Sequence, residues 1–449
     1  MAVTLANQPF QFCLQDSASG AQGFMFKSTV DAFIFDGVGN TITKITDVDY
    51  PSITVPGVAY LDGYFFVMDA NGTIYNSGLE APLAWNSLDF INCEAEPDGG
   101  MAIAKYMNYV VGFGNWTTQF FYDAANATGS PLAVIQSATI QIGCANGYSV
   151  AQFDGKLVWM GTSHEKGRGV YALQGSMSPT KISTPDIDRI LNADSLATVY
   201  SWGAGFSGHS LYVLTLATSG ITLVYDFTSQ VWSHFTRRKV GTSKSISSLT
   251  QVAGVATAVC AAHNFPDGDE ITIAGATPAG YNVTTNVSYI DANTFSFDVP
   301  DTLAATASGT ITATGSTESY FDLAYYANAG GKDIVQGETD GIIYELLGTA
   351  YQDNGVSIDA ATRTTIYDAG SAKRKFVASA EIIGDKIAAT ALVRYSDDDY
   401  KTNSKYRKVD LNAKRSRLSR LGSMSRRSFE IRHTANTPFR VQALEIEGE

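Results

Sequence analysis

The stretch Gly63-Tyr64-Phe65-Phe66-Val67-Met68-Asp69-Ala70-Asn71-Gly72-Thr73-Ile74-Tyr75 decides the fold. Tyr64 to Met68 is an unbroken apolar run, too short for a helix and bounded by turn residues. Such a run predicts a strand covered on both faces. Asn71-Gly72 tolerates the positive φ of a tight turn, so Thr73-Ile74-Tyr75 reads as the returning strand of a hairpin. The same pair of strands recurs down the chain. Tyr109 to Phe113 precedes Thr118-Gln119-Phe120-Phe121, Lys156 to Met160 precedes Arg168-Gly169-Val170-Tyr171, and Ser210 to Leu214 precedes Thr222-Leu223-Val224-Tyr225. Aligning strands that end in an aromatic picks out Phe26, Tyr75, Phe121, Tyr171, Tyr225 and Tyr344, at spacings of 49, 46, 50, 54 and 119.

The last spacing has a local cause. Residues 251–313 contain no Lys or Arg and six acidic residues, and carry their own run of short strands and turns. Without these 63 residues the last spacing becomes 56, and the period stays near 50 across six units. A strand-only repeat of that length is the mark of a β-propeller, whose blades bury their faces only by stacking on neighbours. From about residue 361 the period breaks. Thr364 to Tyr367 reads as a strand closing the propeller. Phe376–Ile382, Thr390–Tyr395, Tyr406–Leu411, Arg427–Arg432 and Phe439–Ile446 then read as a half-buried antiparallel sandwich. The predicted fold is therefore all-β: a propeller of about six blades (1–250 and 314–360), an inserted small β-barrel (251–313) and a C-terminal β-sandwich (361–449). Helical periodicity is almost absent.

Charge is divided unevenly along the 449 residues. Residues 1–360 hold 13 Lys and Arg against 33 Asp and Glu, a net of −20. Residues 361–449 hold 18 against 11, a net of +7. Opposite signs within one chain suggest docking to like subunits or to a charged partner. The densest basic positions are Lys373, Arg374, Lys375, Lys414, Arg415, Arg417, Arg420, Arg426 and Arg427. Such a strip neutralises phosphates or pairs with acidic surface on a neighbouring subunit. The second reading is favoured, because no aromatic platform is interleaved as a single-strand binder would use. On this reading, reversing Arg415, Arg417, Arg426 and Arg427 to Glu impairs docking and leaves folding intact.

Catalytic signals are weak. Cys13, Cys93, Cys144 and Cys260 are widely spread and read as reduced, mostly buried thiols. Cys144 has no local His to activate it. Gly112-Phe113-Gly114-Asn115 leads from strand to strand, so no helix N-terminus meets a phosphate there. Asp69-Ala70-Asn71-Gly72-Thr73-Ile74 approaches a sialidase Asp-box once, without its Trp. Only Arg168, Arg189, Arg237 and Arg238 precede the inserted segment, too few to support an arginine triad for a carboxylate sugar. Asp397-Asp398-Asp399 has the chemistry of a hard-cation site but more often forms a solvated turn. The sequence thus predicts no enzyme, no cofactor, no metal and no small-molecule substrate. No run approaches 18 apolar residues, and residues 1–10 (MAVTLANQPF) show no basic-then-apolar leader.

The hairpin at 63–75, its continuation Met107 to Gly114 with Phe120-Phe121-Tyr122-Asp123, and Gln152 to Gly161 resemble the tail hub, or nozzle, proteins of short-tailed phages. In P22-like phages these are called packaged-DNA stabilisation proteins. The resemblance covers about residues 20–240 and 320–449 and lies in structural motifs. It implies a virion protein of the phage tail, assembled in the host cytoplasm. It implies a homo-hexameric ring beneath the head-to-tail adaptor that prolongs the channel for double-stranded DNA, helps retain the genome, and docks tail fibres, spikes or a plug. Two other propeller functions stay open at this point: a glycosidase or lyase acting on surface polysaccharide, and a monomeric adaptor for protein partners.

Overall fold

The computed structural model describes residues 11–16, 22–93, 95–338 and 340–448. The leader reading of residues 1–10 lies outside the described residues. The chain divides into two compact units. One is Met1–Phe235 with Tyr320–Leu346, the other Thr236–Ser319 with Leu347–Glu449.

In the first unit six antiparallel sheets follow one another. Blade 1 is Gln11–Asp16, Gln22–Lys27, Ala32–Asp36 and Thr41–Lys44; blade 2 is Ala59–Leu61, Tyr64–Met68, Thr73–Gly78 and Ala81–Asn92. Blade 3 is Gly100–Tyr106, Tyr109–Gly114, Thr118–Asp123 and Leu132–Val134. Blade 4 centres on Lys156–Ser163 and Gly167–Gln174, with Gly143–Cys144 and Ala151–Phe153 both pairing on its inner side. Blade 5 is Val199–Phe206, His209–Leu216, Ile221–Asp226 and Val231–Val240, and blade 6 is Leu323–Ala329, Lys332–Gly337 and Ile343–Leu346. The inner strand of each blade lies beside the inner strand of the next, from Gln11–Asp16 through to Leu323–Ala329. That is propeller geometry.

The apolar runs are buried on both faces, as their composition requires. Phe66 and Met68 join Ile103, Val110 and Phe121 between blades 2 and 3, whereas Phe65 and Val67 join Met25, Ile34 and Tyr60 between blades 1 and 2. Leu157 and Trp159 turn to blade 3, and Val158 and Met160 to blade 5. A smaller core of Trp202, Val213, Val224, Leu323 and Val335 joins blades 5 and 6. Blade 1 departs from the predicted alignment. Phe26 ends its second strand and not its third, because Gly23-Phe24-Met25-Phe26 and Ala32-Phe33-Ile34-Phe35 share one pattern and pair with each other.

One α-helix, Pro185–Ala193, is present among the described residues. The sequence reading missed it, although its start signals are complete. Thr184 caps it through a bond from the Ile187 N–H, Pro185 opens it, Asp186 and Asp188 occupy the first turn, and Ile187 and Leu191 enter the core between blades 4 and 5.

The second unit holds the guest segment and the C-terminal sandwich together. In the guest, two four-stranded sheets wrap one core that includes Leu249, Tyr281, Phe295 and Phe297. Strand pairing gives this body a span from Lys244 to Thr314. The sandwich packs Ala360–Arg363, Ser428–His433, Thr390–Ser396 and Arg407–Asp410 against Ser416–Met424, Lys375–Gly384 and Val441–Gly448. Thr364 to Tyr367 does not close the propeller. The Thr364 N–H bonds to the Phe429 carbonyl and Tyr367 bridges to Arg427, both in the sandwich.

This division recasts the charge pattern. The propeller unit carries 9 Lys and Arg against 24 Asp and Glu, a net of −15; the other unit carries 22 against 20, a net of +2.

Candidate docking surface

Four of the nine predicted docking residues lie on the strand Ser416–Met424 or at its entry. Its alternation places Ser416 and Leu418 inward and Arg415 and Arg417 outward. The outward cations meet acids of the neighbouring strands. Arg415 pairs with Glu381 at 2.5 Å and Arg417 pairs with Glu447. Lys414 sits exposed at the turn before the strand, and Arg420 lies exposed at a bulge with φ 58°.

Arg427 is removed from the docking set. It is 2% exposed and forks onto Asp397 at 2.6 and 2.7 Å. It also donates to the Leu421 carbonyl at 2.7 Å, and its guanidinium stacks 3.8 Å over the Tyr395 ring. A guanidinium satisfied on every side belongs to the core. Reversing it cannot leave folding intact, contrary to the sequence expectation, because a carboxylate at this buried position would face the Asp397 carboxylate and forfeit every bond the guanidinium makes.

The remaining residues come together from two distant segments. Pairing of Lys375–Gly384 with Ser416–Met424 puts Lys375 opposite Met424. Lys373, Arg374 and Arg426 are exposed at that end of the sheet. The Lys375 ammonium donates to the carbonyls of Ser371, Lys373 and Ser425, tying the two segments together. Arg374 Nε donates to Ser423 Oγ at 2.9 Å, and Arg426 pairs with Asp399 at 2.7 Å. The predicted strip is thus split between two ends of a nine-residue strand, about 26 Å apart at ~3.3 Å per residue.

Other basic residues of the sandwich are engaged inside their own unit, which sequence reasoning missed. Asp269 of the guest segment is 2% exposed and accepts from Arg238 at 2.7 Å and from Arg432 at 3.3 Å. Arg432 also binds Asp359 at 2.6 Å, and Lys408 reaches Asp298 at 2.5 Å. Burial works against the Arg432 charge, yet the Asp359 carboxylate beside it holds its pKa above the usual value. The signal was available: Arg237-Arg238 is an arginine pair, in a body with few arginines, just before a segment with acids and no cations.

The catalytic candidates are all committed to the fold. Burial pushes the Cys144 thiol up to about 12 and the Cys13 thiol up to about 11, which leaves both protonated at neutral pH. Asp69 accepts from the N–H groups of Asn71 and Thr73. Of the aspartate triplet, Asp397 holds Arg427, Asp398 caps Thr402, and Asp399 holds Arg426. Among the described residues no group of three His, Cys, Asp or Glu is placed to hold a metal. A cavity of about 560 Å³ lies where blade 1 meets the start of the outer strand of blade 2, with Asp36 and Asp47 in its lining. Asp36 is occupied by the Val38 N–H, and Asp47 by those of Trp85 and Asp49.

Against known families, residues 14–247 match the phage-stabilisation family, described as Bacteriophage P22 Gp10, beta-propeller. That is just over half of the chain. The chain belongs to this family. As a member of the P22 Gp10 family it is a structural component of the phage tail and thus of the virion, and its six-sheet unit is the family's β-propeller. The tail hub protein gp10 of Salmonella phage P22 is 29% identical over 141 residues; the match spans 30% of this chain and 29% of the relative's length. Among solved structures, BamB from Moraxella catarrhalis matches with a TM-score of 0.31 at 11% identity, over 75% of this chain and 95% of that one. Hsv2 of Kluyvelomyces marxianus matches with a TM-score of 0.29 at 9% identity, over 56% and 73%. At such scores the likeness carries no weight below. No helix among the described residues is long and apolar enough to cross a membrane.

Proposed function

We propose that this chain is the repeating subunit of a tail hub, or nozzle: a ring of about six copies below the adaptor that prolongs the DNA channel, helps retain the packaged genome, and offers attachment surface to fibres, spikes or a plug. The reading is carried by membership of the P22 Gp10 family, together with the likeness to a protein named as a tail hub. The net charge of −15 on the propeller unit supports it. An acidic wall repels the phosphates of a passing duplex, so DNA slides along it, whereas a basic wall would hold it. The catalytic side chains considered above serve turns and cores, and the proposed role is non-enzymatic. Electron cryomicroscopy of the assembled particle tests it. The expected result is density for this chain as a ring on the tail axis below the portal and adaptor. Finding the chain in the head shell, or absent from purified particles, would overturn it.

A further inference from the structure

The sandwich end that carries Lys373 and Arg374 is held in place by contacts that leave these two charges available, whereas Arg426 beside them is paired with Asp399. The Lys375 ammonium fastens the 371–373 loop to Ser425 through three carbonyls and so fixes where Lys373 and Arg374 project. Neither Lys373 nor Arg374 has a carboxylate partner among the described residues, in contrast to Arg415, Arg417, Arg427, Arg432 and Lys408. Phe376 is 55% exposed beside them, and Tyr367, bridged to Arg427, is 40% exposed. Cations rimming exposed aromatic surface have the composition of an interface.

We infer that this end of the sandwich docks on the acidic propeller unit of a second copy of the chain. Charge complementarity selects that partner. The propeller unit has 24 acids against 9 bases, while the unit that carries the patch is nearly balanced at +2. A nearly balanced body that presents two unpaired cations, Lys373 and Arg374, at one end is steered with that end toward an acidic body. The inference rests on the multi-copy part of the reading above and adds which surfaces meet.

The test uses the full chain and the double variant Lys373→Glu/Arg374→Glu. Both side chains are exposed and free of acid partners, so an unchanged melting profile verifies the fold. Sedimentation at low and high salt reads self-association, and carbodiimide cross-linking of mixed light and heavy copies reads the contact. The expected result is association at low salt, weakened at least tenfold by the variant and by 0.5 M salt. Intercopy links should run from Lys373 to carboxylates within residues 11–235 or 320–346. Association unaffected by the variant, links confined to other surfaces, or no association at all would each overturn the inference. So would a short DNA duplex that binds the wild type and not the variant while self-association stays equal. A particle that still carries the chain as an axial ring, with this end facing solvent, would sink the inference and leave the proposed function standing.

Discussion

Lys27 is fully buried between blades 1 and 2, and its ammonium donates to the Val55 carbonyl at 2.8 Å. Burial pushes its pKa down to about 7 from 10.5. Between those values the unfolded chain binds more protons than the folded one, so stability rises with pH, with a slope of up to ~1.4 kcal/mol per pH unit. The destabilising contribution is complete below about pH 7 and gone above about pH 10.5. Urea midpoints of wild type against Lys27→Met at pH 7, 8 and 9 should show the wild type gaining on the variant as pH increases; parallel curves would contradict this. Arg427 and Arg426 make a second contrast at this scale. Removing a buried, fully bonded guanidinium costs about 3 kcal/mol or more. Arg426 and its partner Asp399 are both exposed, and removing one partner of such a surface pair costs at most about 1 kcal/mol. Denaturant melts of Arg427→Ala and Arg426→Ala should separate by that difference, although sequence alone grouped the two residues.

At the scale of elements, the close approach of blades depends on positions without a side chain. Gly57 holds φ +99°, and a Cβ there would run into the Ile103 carbonyl of blade 3. Because the obstacle is backbone, Gly57→Ala should lower stability by well over the ~1 kcal/mol of an average substitution. Thermal melts measure it, and a neutral result would mean that blades 2 and 3 are looser than described. The elements legible in the sequence were those whose pattern has one reading. Tyr64–Met68 and residues 157–160 are apolar throughout, and runs this short between turn residues read as strands covered on both sides. The strand Ser416–Met424 was hidden because its outward arginines looked like a solvated basic strip. Its inward Ser416, Leu418, Leu421 and Met424 are spaced irregularly by the bulge at Arg420. The short helix Pro185–Ala193 was missed because nine residues give too little periodicity, though its caps were plain. The basic end at Lys373 and Arg426 was not legible as one place, because strand pairing brings it together across 50 residues of sequence.

For the whole molecule, the basic excess read at the C-terminal end of the chain is largely neutralised within its own unit, while the propeller unit stays acidic. Asp269 sits between Arg238 and Arg432 where guest and sandwich meet. Asp269→Asn leaves two buried guanidinium groups short of a counter-charge, a loss of about 3 kcal/mol. Calorimetry of the full chain should show the transition of that unit falling while the propeller transition stays put; a uniform shift of both would mean that the two units melt as one. The placing of the guest segment also orders events during synthesis. Residues 236–319 leave the ribosome after blade 5 and before blade 6. At 5–20 residues per second those 84 residues take on the order of ten seconds. Throughout that interval the flank of Trp202, Val213 and Val224 waits for Leu323 and Val335 to arrive, an interval in which a nascent wheel invites chaperone capture.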